Sequence, residues 1–96
     1  AANVPQIIAW AGGSPCYLTC DLDILDPAVF PGTGTPEPGG ISFQALCETL
    51  VQLIGGLKIA GMDVVELAPN MDTTGISSIT AAKIVRECII ALCRSW

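Results

Sequence analysis

Apolar residues fall on Phe43, Leu46, Cys47, Leu50, Val51 and Ile54, at i, i+3, i+4, i+7, i+8 and i+11, the spacing of one helical face. Ser42 stands where that helix needs an N-cap, and Gly55-Gly56 where it should stop. A second stripe, Ala81, Ile84, Val85, Cys88, Ile89, Leu92 and Trp96, predicts a final helix. Val4 to Ala11, with Pro5 near its start and Gly12-Gly13 after it, reads as a short helix tail. Between these lie two runs rich in β-formers and without polar alternation, Cys16–Asp21 and Lys58–Leu67. Such runs predict strands buried on both faces of a parallel sheet. Helix, strand, helix, strand, helix is the order of an α/β unit with a right-handed crossover. Parallel strands bring their carboxyl ends to one edge, where sites are built.

Leu22 to Gly40 is a long stretch rich in proline and glycine. Leu22, Ile24, Leu25, Val29 and Phe30 are apolar anchors within it, which predicts an ordered and functional loop rather than a linker. Ala68 to Gly75 forms the exit loop of the second strand.

Composition changes this picture in one respect. With 51% hydrophobic residues in a chain of 96, the apolar share exceeds the roughly 45–50% of ordinary domains. A domain this small has little interior to hold that share, so part of its apolar surface expects a neighbour. No run reaches the roughly 18 apolar residues of a membrane span. Ala1-Ala-Asn-Val-Pro5 lacks the basic region of a signal peptide, and a start at Ala rather than Met is in keeping with a fragment.

The net charge is −5, and the four cations, Lys58, Lys83, Arg86 and Arg94, are scattered. Nucleic acid is therefore not an expected partner, nor is a membrane, whereas metal cations or a positively charged small substrate suit the acidic loops. Cys16, Cys20, Cys47, Cys88 and Cys93 make an odd set without a C-x-x-C pair, and read as buried free thiols of a reducing, cytoplasmic compartment rather than ligands. The chain has no histidine, which excludes any catalytic role that requires an imidazole from these residues alone.

The candidate chemistry lies where the first strand meets the long loop. Asp21, Asp23 and Asp26 fall within six residues. On an extended backbone Asp21 and Asp23 point to the same side, and two hard oxygen donors can share or bridge divalent cations; the other reading of the two is a turn pair that caps local amides and binds nothing. Glu66, at the end of the second strand, should converge on them although it is 43 residues beyond Asp23. Asp63 interrupts an apolar strand, so it must be paired or hydrogen-bonded in support of the site. Asp26 and Asp72 read as turn formers. An EF-hand does not fit, because loop positions 6 and 12 counted from Asp21 hold Asp26 and Gly32.

Cys20-Asp-Leu-Asp-Ile-Leu-Asp-Pro27 followed by Pro31-Gly-Thr-Gly-Thr-Pro-Glu-Pro-Gly-Gly40 resembles the last signature of the ureohydrolases, the arginase/agmatinase family. Gly61-Met-Asp-Val-Val-Glu66-Leu-Ala-Pro69, with Asp72 after it, resembles the family's next block, in the right order and at the right spacing. The Gly-Thr-Gly-Thr-Pro-Glu-Pro wording is more similar to the agmatinase branch than to arginase proper. The resemblance implies that residues 1–96 are one incomplete domain, the C-terminal part of a three-layer α/β/α arginase/deacetylase-like fold. It implies hydrolysis of a linear guanidino compound, agmatine first, to urea and an amine at a binuclear Mn2+ centre, in polyamine metabolism. By that resemblance Asp21 bridges both ions, Asp23 completes the second ion's sphere and orients proton transfers, and Glu66 pairs with the substrate guanidinium. Thr35 matches a threonine close to the substrate, with turn chemistry as its other reading. The complete enzymes are commonly homo-oligomers.

Two histidines and further aspartates that ligate the metals in the family come from motifs outside these residues, so the isolated chain is expected to be inactive. An alternative is a catalytically inactive fragment acting through association with other chains. A third, Asp21-x-Asp23 as the metal–nucleotide motif of a glycosyltransferase, sits poorly with the Gly-Thr-Gly-Thr-Pro-Glu-Pro segment.

Overall fold

A computed structural model describes residues 3–95; Trp96, assigned above to the last apolar stripe, lies outside them. The elements follow the expected order: α1 (Val4–Ala11), β1 (Pro15–Asp21), α2 (Phe43–Gly56), β2 (Lys58–Val65) and α3 (Ile76–Arg94). Single 3-10 turns at Leu22–Ile24 and Pro69–Met71 follow the two strands.

β1 and β2 pair in parallel, from Pro15 opposite Lys58 to Asp21 opposite Val65. One irregularity, opposite Ala60, lies between Cys16 and Tyr17. Beyond it Leu18 with Met62 and Cys20 with Val64 turn to one face and pack against the core. Tyr17 with Gly61 and Thr19 with Asp63 turn to the other. The core consists of Cys20 from β1, Leu46, Leu50 and Ile54 from α2, Ala81, Ile84, Cys88 and Ala91 from α3, and Leu22, Leu25 and Phe30 from the loop.

The strands are therefore not buried on both faces as the sequence predicts. In β1 exposure alternates residue by residue, and Tyr17 is 64% exposed. The physical reason is that α2 and α3 cover one face only, and no helix among the described residues covers the other. The α/β class and the parallel sheet are as expected, and these residues supply one helical layer on that sheet.

Two helix details also differ. Gly55-Gly56 form the last turn of α2 instead of following it, because the Leu57 N–H still reaches the Leu53 carbonyl at 2.8 Å. In α3 the buried stripe is narrower than expected, at Ala81, Ile84, Cys88 and Ala91, and Val85 and Ile89 are exposed. No helix among the described residues is long and apolar enough to cross a membrane. The cysteines are free, as expected, but only Cys20 and Cys88 are fully buried, and Cys93 is exposed. Burial pushes the Cys20 thiol up to about 11, which keeps it protonated and inert.

The long loop is tied at both ends. Ile41 donates its N–H to the Ile24 carbonyl and accepts from the Asp26 N–H, both at 3.0 Å. Asp26 adds its side chain, accepting from Ala28 N–H at 2.9 Å and Gly39 N–H at 3.0 Å. These backbone donors hold its carboxyl below the usual carboxylate range, the turn role read from the sequence. Leu22, Leu25 and Phe30 are buried anchors, whereas the Ile24 side chain is exposed and contributes through its backbone.

Gly40 makes the closure possible, since a Cβ there would lie 2.5 Å from the Asp26 nitrogen and 2.6 Å from the Ile24 oxygen. Those are backbone atoms that cannot step aside, so Gly40→Ala should cost about 2 kcal/mol or more. Ser42 caps α2 by accepting from the Ala45 N–H at 3.1 Å, so Ser42→Ala should cost about 1 kcal/mol. Urea denaturation of the two variants beside the parent chain checks both values.

Candidate metal and cation site

Both strands end at the same edge, and each contributes acid there. Asp21 is the last residue of β1 and Asp23 lies in the 3-10 turn after it. Glu66 follows β2 directly. One carboxylate oxygen from each of Asp21, Asp23 and Glu66 lies within 4.8 Å of the others. The convergence of Glu66 on the pair is as the strand order implies.

The pairing of Asp21 with Asp23 has a different cause from the expected one. The backbone is not extended through both residues. Asp21 Oδ1 accepts the Asp23 N–H at 3.2 Å and caps the 3-10 turn, and the turn swings Asp23 back toward its neighbour. Thr35 Oγ1 donates to Asp23 Oδ2 at 2.9 Å, so the loop reaches across to orient that carboxylate. Lost hydration raises the Asp21 carboxyl above its ordinary value, and the Asp23 side chain adds to the rise while the Asp23 N–H opposes it. Like charges this close resist joint ionisation, and a cation between them relieves the repulsion.

Glu66 is the only non-glycine among the described residues with positive φ, at 79°. A left-handed backbone costs a β-carbon-bearing residue about 1 kcal/mol, and persists where surrounding contacts hold it. The kink ends β2 and sends the chain into the loop over Gly32, where the Ala68 N–H donates to the Gly32 carbonyl at 2.7 Å.

Asp63 is hydrogen-bonded, as its position mid-strand requires. It accepts from Thr19 Oγ1 at 2.6 Å and from Tyr17 Oη at 2.9 Å, both on β1. The bond to Asp63 also raises the Tyr17 hydroxyl above its ordinary value. Neither partner stands out in the sequence alone, although period-two spacing on β1 places both on one face. Asp72 is a turn former, accepting from the Thr74 N–H and hydroxyl and from the Ser77 N–H and hydroxyl. Ser77 and Thr74 hold its carboxyl well below the usual range. Glu37 lines a shallow cleft with Asp23 and Gly39.

Two expectations follow. Glu66→Gly should be more stable than Glu66→Ala by about 0.5–1 kcal/mol, because only glycine is unstrained at this φ; thermal melts of the pair check it. For pH, Asp72 and Asp26 both have lowered values in the folded chain. Their contribution is complete above the unfolded carboxylate value of about 3.9 and is lost as pH falls through the folded values. Acid titration followed by circular dichroism should show that loss below about pH 4, and Asp72→Asn should flatten it.

The description of the Arginase family matches residues 1–91. The chain is 48% identical to an agmatinase of Chromobacterium violaceum over 84 residues, which are 86% of this chain and 26% of that protein. Among solved structures, a hypothetical agmatinase from Burkholderia thailandensis superposes with a TM-score of 0.86 at 42% identity, over 95% of this chain and 29% of that one. The proclavaminate amidino hydrolase of Streptomyces clavuligerus superposes with a TM-score of 0.90 at 38% identity, over 98% and 32%. The chain thus spans between a quarter and a third of the length of these relatives. By sequence and by fold, this chain belongs to the arginase family.

Proposed function

We propose that this chain serves an agmatinase-type ureohydrolase, which hydrolyses agmatine or a similar linear guanidino compound to urea and an amine. The observation that carries the reading is the convergence of Asp21, Asp23 and Glu66 at one sheet edge, within a chain similar to agmatinases throughout. The relatives' names supply the branch, and the three carboxylates supply a reason for it.

The donor set fits a hard divalent cation, since all three residues offer carboxylate oxygen. Asp21 and Asp23 would hold manganese, and a bound pair of such ions would lower the pKa of water toward neutrality. The chain's own residues do the rest of what falls to them. Thr35 keeps Asp23 turned toward Asp21, with one oxygen engaged and the other available. Asp23, so held, would orient the proton transfers of the reaction. Glu66 presents an exposed carboxylate to which a planar guanidinium can donate two parallel N–H bonds. That pairing fixes the substrate's orientation and discriminates against uncharged amides. No imidazole is available from these residues, so the chain alone binds cations weakly and releases no urea. The complete enzyme would be a cytoplasmic homo-oligomer.

A second reading, association with other chains without turnover, draws on the open sheet face at Tyr17 and on Trp10, which is 86% exposed. Manganese calorimetry of the chain, with urea release from agmatine assayed in parallel, separates the two. The expected result is weak binding that falls about tenfold or more in Asp21→Asn and Asp23→Asn, since ligand charge sets affinity. Manganese binding indifferent to both substitutions would refute the site, and assembly into stable oligomers with no manganese binding would favour the second reading.

A further inference from the structure

The peptide groups of Gly32 tie the long loop to the segment after β2 at two points. Toward one side, Gly32 accepts from the Ala68 N–H at 2.7 Å, two residues beyond Glu66. Toward the other, its N–H donates to Ser77 Oγ at 2.8 Å, and Ser77 Oγ donates to Asp72 Oδ2 at 2.6 Å. The direction of this relay is fixed by chemistry. An amide N–H can only donate and an ionised carboxylate can only accept, so the serine hydroxyl must accept at one end and donate at the other. Ser77 is fully buried and Gly32 is buried beside it. A Cβ on Gly32 would lie 2.7 Å from Ser77 Cβ and 3.1 Å from Asp72 Cβ. Three residues beyond Gly32, Thr35 holds Asp23.

We propose that Gly32, Ser77 and Asp72 form a positioning clamp that fixes Glu66 relative to the Asp21–Asp23 pair. The clamp ties the loop that orients Asp23 to the exit of β2, and so maintains the left-handed backbone of Glu66. It rests on the reading that these carboxylates form one cation and guanidinium site, but its structural content is independent of metal or turnover. Ser77 and Asp72 touch no reacting atom; they act through Gly32 and Ala68.

The test is NMR of the full 96-residue chain, metal-free, as the parent and as Ser77→Ala and Ser77→Thr. In the parent, the Gly32 and Ala68 amides should be protected from exchange, and the Glu66 HN–Hα coupling should report positive φ. Ser77→Ala should accelerate exchange at both amides about tenfold, as one lost hydrogen bond implies. It should also move the Glu66 coupling while amides in the middle of β1 and β2 keep their protection. Ser77→Thr retains the hydroxyl and should restore both signatures. Unchanged Ala68 protection and Glu66 coupling in Ser77→Ala would overturn the clamp. So would free exchange of Ala68 in the parent, which decides the matter even where Ser77→Ala does not fold. Failure of manganese binding would count against the cation site and leave these amide signatures as they are.

Discussion

Parallel pairing of β1 with β2 is the constraint on which the rest depends. It places the last residues of both strands at one edge, so that Asp21 lies across from Val65 and one step from Glu66. Residues far apart in the chain become neighbours without any dedicated contact between them. The pairing is anchored from one side by Leu18, Cys20, Met62 and Val64 against α2 and α3. On the opposite face, Asp63 joins it to Tyr17 and Thr19. Burial supplies the energy on the first face and hydrogen bonds supply alignment on the second.

The acids of this chain sort by how much acceptor capacity their surroundings consume. Asp26 and Asp72 are filled by backbone amides and hydroxyls, which stabilises their charge and leaves little to offer a ligand. Asp63 is satisfied by two hydroxyls. Among the described residues, Asp21 and Asp23 each accept one hydrogen bond, from the Asp23 N–H and the Thr35 hydroxyl respectively. Together with Glu66 they form the cluster able to take a cation. Sequence proximity alone does not make this distinction, since Asp23 and Asp26 are only three residues apart.

Much of the fold could be read from the sequence because helical spacing and glycine or proline punctuation are local signals. The α1 bounds, the Ser42 cap and the order of the elements all rest on such signals. The same holds for the meeting of Asp21, Asp23 and Glu66, which follows from strand order. What escaped is tertiary. An apolar run does not reveal whether one face or two will be covered, so a strand that reads as buried on both faces leaves Tyr17 and Thr19 exposed. Nor does an Asp-x-Asp spacing reveal a 3-10 turn, which here replaces the extended geometry. The roles of Gly32 and Ser77 depend on a contact across 45 positions of sequence; no local pattern announces it.

The loop from Leu22 to Gly40 carries one further consequence. Its two ends are tied through Ile24, Asp26, Gly39 and Ile41, while residues 34–38 between them are exposed. Closing a somewhat longer loop costs little entropy once its ends are held together. Apart from Thr35, which holds Asp23, the tip can therefore gain, lose or exchange residues without changing the spacing of the acids at its base. Such a loop keeps two properties apart: its base and Thr35 fix the geometry of the acids, while the rest of its rim is free to differ in length and composition.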